Sequence, residues 1–106
     1  MKTLTLPLKR KWFDLIKSGE KKEEYREIKP YYEKRFLEPL SSRLFRKGET
    51  GVKSFDTLVF TLGYPKADDA ERRLEFKNPK IRIGTGRPEW GAEPGKQYFV
   101  ITWEES

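Results

Sequence analysis

The chain has 106 residues, enough for one hydrophobic core and too few for two of ordinary size, so any site has to be built within a single domain spanning residues 1–106. It has no cysteine and no histidine, which removes disulfides, zinc sites of the usual ligand type, cysteine nucleophiles and histidine general bases together. The net charge of +6 lies in the first half: residues 1–50 carry 14 Lys/Arg against 8 Asp/Glu, while residues 51–106 carry 9 of each.

Any chemistry therefore falls to Lys, Glu, Asp, Tyr, Ser or Thr. No dense Asp/Glu loop offers itself to a hard cation, so neither a metal nor another cofactor is expected. The apolar fraction of 35% is low, but 3 Trp, 5 Tyr and 7 Phe bury large areas per residue and argue for a folded chain. No apolar run approaches the ~20 residues that span a bilayer, and MKTLTLPLKRKW lacks a long apolar stretch with a small-residue cleavage site, so a cytoplasmic protein with no membrane partner is expected. A basic surface beside aromatic rings suits a phosphate-bearing partner, although on charge alone solubility is the simpler account.

Residues 2–8 alternate, Leu4, Leu6 and Leu8 against Thr3 and Thr5, and predict a half-buried strand in which Pro7 marks an edge or an exit. From Leu8 the period changes: Leu8, Trp12, Leu15 and Ile16 predict a helix of roughly three turns closed by Gly19, with Trp12 and Phe13 expected in the core. Next comes GEKKEEYREIKP, residues 19–30, with eight charged residues between its glycine and its proline. Glu24, Arg26 and Ile28 alternate with Glu23, Tyr25 and Glu27 at the spacing of a strand, although charged residues are poor strand formers.

Pro30 suits a first helical turn, and Tyr31, Tyr32, Arg35 and Phe36 continue it as a short amphipathic helix that Pro39 interrupts. Residues 37–54 show no sustained period and read as a mobile loop with one helical turn near residues 42–45. Residues 56–64, 72–76, 80–86 and 97–103 read as strands, with Asn78-Pro79 expected to bend or break the run from 72 to 86. The pattern predicts an α+β domain on a small curved sheet or barrel with two short helices.

Lys21, Glu24 and Arg26, taken alone, could be a solvated charged strand with ion pairs worth less than ~1 kcal/mol each. Of Tyr31 and Tyr32, one ring could enter the core or face a cleft and stack on a base; the residues do not decide which. Lys34, Arg35, Arg43, Arg46 and Lys47 supply positive charge for phosphates, with a solvated basic loop as the plainer account. Gly84-Thr85-Gly86-Arg87 is too short for a phosphate loop and no helical pattern follows it. Trp90 is expected in the core, with a stacking platform at the rim as the alternative.

Gly19, Lys21, Glu24 and Arg26 together satisfy G-x-K-x-x-E-x-R directly after an amphipathic helix, and this resembles the signature of the ASCH domain, a member of the PUA-like superfamily. The order of elements is similar over nearly the whole chain, and IRIGTGRPEWGAEPGKQYFVI, residues 81–101, resembles the closing part of small stand-alone ASCH proteins. The resemblance implies a PUA-like pseudo-barrel of five or six strands with a helix beside one opening, and a cleft between them lined by the signature residues. It also implies an RNA-related role; the main expectation is a domain that binds RNA or a modified nucleoside, with Lys21 and Arg26 as donors, Glu24 as acceptor for a base edge or amine, and Tyr31, Tyr32, Arg35 and Trp90 as further candidate contacts.

One branch of that family is an acetylcytidine amidohydrolase whose proposed catalytic groups are the signature lysine, a threonine three positions later and a distant glutamate. Lys21 matches the lysine, Glu24 stands where the threonine is, and Glu89 is the candidate for the distant acid. A carboxylate cannot be the same hydroxyl nucleophile, but it can orient water or accept a proton. The rival expectation is therefore a hydrolase, an amidohydrolase or a ribonuclease, working through Lys21 and Glu24. A protein-binding accessory module is the third.

Overall fold

The computed structural model describes residues 2–39 and 50–104. Among the described residues the fold is α+β, with two short α-helices, a five-stranded mixed sheet and a second sheet of two short strands. The first element, β1 (Thr3–Leu8), buries Leu4, Leu6 and Leu8 as its alternation requires. Helix α1 (Arg10–Lys17) follows after one residue and ends where Gly19 adopts φ +84°, a conformation that L side chains resist. Its buried residues are Phe13 and Ile16, while Trp12 and Leu15 lie half-buried on its flank.

The charged segment does form a strand, β2 (Glu24–Glu27), and α2 (Pro30–Phe36) begins on its proline and drives Phe36 into the core. Residues 37–54 are not a plain loop as expected. β3 (Leu37–Pro39) and β4 (Thr50–Val52) pair antiparallel, and the backbone N–H of Lys53 donates to the Phe36 carbonyl at 2.8 Å. The anticipated helical turn at 42–45, with Arg43, Arg46 and Lys47, lies outside the described residues.

β5 (Thr57–Leu62), β6 (Arg73–Thr85) and β7 (Gln97–Glu104) complete the main sheet in the order β1-β5-β6-β7-β2, with β1 parallel to β5 and the other pairs antiparallel. Where two strands were expected between 72 and 86 there is one. Asn78, at φ +48°, and Pro79 form a bulge between Lys77 and Lys80, and the extra residue removes proline's missing N–H from the ladder. The Asn78 N–H donates to the Asp56 carbonyl at 3.0 Å and its side-chain amide to Glu104 Oε2 at 3.0 Å, so the kink is anchored on both sides. β6 thereby pairs with β5 before the bulge and mainly with β7 after it.

The bend curls the sheet. Five strands laid flat would put the outer two about 19 Å apart. Yet Arg26 Nη2 on β2 donates to the Pro7 carbonyl on β1 at 2.7 Å, so the two edges have been brought within one side chain of each other. Leu8 directs its carbonyl to Gly63 N beyond β5, which turns the carbonyls of Pro7 and Thr5 outward in a parallel pairing. Proline is tolerated on that outer edge because no ladder donor is needed there. Arg35 Nη2 covers the Thr5 carbonyl at 3.0 Å, and the exposed edge is closed by guanidinium groups instead of backbone. Enclosed by the curl are Leu6, Leu58, Phe60, Phe99 and Ile101, with Phe13, Ile16 and Phe36 supplied by the helices.

Candidate functional site

Immediately after α1 the chain turns sharply: the N–H groups of Glu20 and Lys21 both donate to the Leu15 carbonyl, at 3.0 and 2.9 Å. That turn places Lys21 before the strand begins, free of the strand's alternation, and sends its side chain inward. Glu24 and Arg26 reach the same place from β2, two residues apart on one face. The three converge on one cleft of about 460 Å³ between α1, β2 and the 86–96 segment.

Glu24 is the hub. Its Oε1 accepts from Lys21 Nζ at 2.8 Å and its Oε2 from Arg26 Nη2 at 2.9 Å, with the three side chains 7, 1 and 11% exposed respectively. These are not the solvated pairs of an ordinary charged strand. Two cations share one carboxylate, leaving the cleft floor with a net positive charge and little water to screen it. Lys21 Nζ also donates to the Trp90 carbonyl at 2.9 Å and stands 4.3 Å from the Trp12 ring centre. Burial holds its pKa below the ordinary 10.5, a shift that the Glu24 carboxylate opposes without cancelling. Arg26 adds a bond from Nη1 to the Tyr32 hydroxyl at 3.1 Å.

Aromatic rings make the walls. Tyr32 lines the cleft and stacks on Phe36 at 5.5 Å, so it serves both the core and the cavity, whereas Tyr31 is 60% exposed on the outside of α2. Trp12, expected in the core, lines the cleft as well as packing against core residues. Trp90 is also a wall residue instead of a core residue: it is half-buried, with the Arg87 guanidinium 5.0 Å from its ring. Gly91 meets Trp12 so closely that a Cβ there would stand 2.9 Å from the indole, and its φ of +104° disfavours any side chain. Gly86 has a similar reason, since a Cβ would come within 2.5 Å of the Tyr25 ring.

Arg35 and Glu89 are not among the lining residues. Arg35 is occupied on the β1 edge, and Glu89 is exposed in the short 3-10 turn Pro88–Trp90. The acid that this segment does bring to the cleft is Glu93, whose backbone N–H donates to the Tyr98 hydroxyl at 3.0 Å. Tyr25 also lines it, accepting from the Arg87 N–H at 2.9 Å and donating to Glu23 Oε1 at 2.8 Å. Desolvation, with smaller effects from these partners, leaves its pKa pushed up to about 12.

No family model matches the chain, and neither a curated protein nor a solved structure matches it. Lys9, Lys29 and Lys96 join Arg26 and Lys21 around the cavity, against Glu24, Glu27 and Glu93, so cations exceed anions there. Among the described residues no group of three or more His, Cys, Asp or Glu could hold a metal ion, and no helix is long and apolar enough to cross a membrane. Positive charge on the floor and rings on the walls suit a planar, partly anionic ligand.

Proposed function

We propose that the chain is an ASCH-type domain of the PUA-like superfamily that binds RNA or a modified nucleoside in this cleft. The observation that carries the reading is the convergence of Lys21, Glu24 and Arg26 in one recess, with both carboxylate oxygens of Glu24 engaged within it. The volume falls in the range of roughly 300–1,000 Å³ that small-molecule sites occupy. Tyr32 or Trp90 offers a face for a base, and the tilted pair of Tyr25 and Tyr98, 5.8 Å apart, extends the aromatic wall. Because Glu24 is already doubly engaged, the floor presents mainly donors. The Tyr32 hydroxyl accepts from Arg26, so its own proton points elsewhere. A base carbonyl or ring nitrogen is the matching group.

A second reading has one specific observation in its favour. Lys21 combines a lowered pKa with a carboxylate at 2.8 Å, the pairing that a proton-transferring lysine needs. In an amidohydrolase of acylated cytidine, the Lys21–Glu24 pair would take the proton of an attacking water. The water would add to the amide carbonyl, Arg26 would stabilise the oxyanion, and the C–N bond would break as the pair returns the proton to the leaving exocyclic nitrogen, releasing the carboxylic acid and cytidine. Against it, Lys21 is 1% exposed and already donates to two acceptors.

The two readings separate in one experiment. Purified protein is incubated with acylated cytidines and with a mixed RNA pool, and both are analysed by mass spectrometry. Bound but unchanged nucleoside or RNA supports the binding reading, and free cytidine supports the hydrolase. Neither bound species nor product rejects both.

A further inference from the structure

The cleft has a floor and a mouth. Lys21 and Glu24 are buried, whereas Lys9, Glu27, Lys29 and Glu93 are exposed lining residues and mark where the cavity opens. On the β2–α2 side the exposed lining residue Lys29 is followed in the chain by Pro30 and Tyr31, the first turn of α2. Tyr31 is 60% exposed, a large ring left in water for which the core has no use, because Phe36 fills the buried face of α2. Its ring stands edge-to-face with the cleft-lining Tyr32, centres 4.9 Å apart at 81°, and the Arg35 guanidinium lies 5.8 Å from its centre. Arg35 is itself fixed by its bond to the Thr5 carbonyl, so this cation is held in place.

We propose that Tyr31 and Arg35 form a second nucleotide subsite outside the cleft, so that the ligand is a single-stranded RNA segment with one base in the cavity and its neighbour stacked on Tyr31. This inference rests on the cleft reading given above. The Tyr31 ring supplies the platform, and Lys29 at the mouth with Arg35 beyond it brackets the phosphate that joins the two nucleotides. Glu27 and Glu33, both exposed and close in the chain, offset part of this positive charge, unlike a general polyanion surface. Adjacent rings meeting at 81° also explain why two consecutive tyrosines are useful: one ring faces in and the other out.

The test uses the full chain and the fluorescence of Trp12 and Trp90, which line the cleft. Each of the four ribonucleosides, and trinucleotides carrying the preferred base at the centre, is titrated into wild type, Tyr31→Ala and Tyr31→Phe. The expected result is that the trinucleotide binds wild type at least about tenfold more tightly than the nucleoside, that Tyr31→Ala abolishes this advantage, and that Tyr31→Phe keeps it because stacking needs the ring alone. If nucleosides bind but extension gains nothing, or if Tyr31→Ala weakens nucleoside and trinucleotide equally, the second subsite is overturned and the cleft reading stands. If neither nucleoside nor trinucleotide binds, both fall.

Discussion

Arg26 Nη2 on one edge strand lies 2.7 Å from the Pro7 carbonyl on the other, and the same nitrogen lies 2.9 Å from Glu24 Oε2. One guanidinium thus joins the seam of the curled sheet to the floor of the cleft. Lysine at this position would keep the charge but could not reach Pro7, Glu24 and Tyr32 together from a single ammonium. Arg26→Lys is expected to lower stability by about 2 kcal/mol in urea denaturation, the cost of leaving a part-buried carbonyl unbonded. An unchanged midpoint would mean that the seam does not depend on the guanidinium.

Glu24→Gln removes the anion that two buried cations share. The amide can accept on one side only and presents donors to whichever cation it leaves, so the loss should exceed that of an ordinary ion pair, about 3 kcal/mol. Glu23→Gln makes a useful control: the amide oxygen can still accept from the Tyr25 hydroxyl, the ion-pair partner Arg82 is largely exposed, and a change of less than ~1 kcal/mol is expected. Equal effects of the two substitutions would contradict the assignment of Glu24 as the hub.

Lys21 and Tyr25 act on stability in opposite directions at alkaline pH. The Lys21 pKa is lowered by burial, so between that lowered value and 10.5 the unfolded chain holds more protons, and the stabilising contribution grows as pH rises. Tyr25 is raised from 10.0 to about 12, so its contribution is full below pH 10 and is lost as pH climbs towards about 12. Stability of wild type relative to Lys21→Met should therefore increase as pH approaches 10.5, whereas its advantage over Tyr25→Phe should shrink above 10. Tyrosinate absorbance gives a direct check, with a component near pH 12 that is missing in Tyr25→Phe.

Gly91→Ala places a methyl 2.9 Å from the Trp12 indole on a backbone at φ +104°. The expected cost is about 1–3 kcal/mol, accompanied by a shift in tryptophan fluorescence as the ring yields. Gly95→Ala, also at positive φ but with no neighbour within 4 Å, should cost less and leave the fluorescence unchanged.

Much of this arrangement is legible in the sequence. The alternation of Leu4, Leu6 and Leu8, the helix stop at Gly19 and the same-side placement of Glu24 and Arg26 all follow from local periodicity, and the structure agrees with each. What could not be read was set by contacts distant in sequence. Trp12 lies on the helix stripe that packs inward, but whether that flank meets core or cavity depends on the 86–96 segment, which the Lys21–Trp90 bond holds from 69 residues away. Glu93 and Tyr98 reach the cleft for the same reason, whereas Glu89, four residues earlier than Glu93, is turned outward by the Pro88–Trp90 turn. Asn78-Pro79 looked like a break because proline cannot donate, yet a bulge absorbs it and keeps β6 whole.

The most direct measurement is the tryptophan fluorescence titration of wild type and Arg26→Ala with ribonucleosides, acylated cytidines and short single-stranded RNA. Saturable binding by wild type, reduced at least about tenfold in an Arg26→Ala protein that still unfolds cooperatively, is the predicted result. Wild type that binds none of these ligands, or a folded Arg26→Ala variant that binds them equally well, would contradict the claim that the cleft floored by Lys21, Glu24 and Arg26 is a nucleoside site.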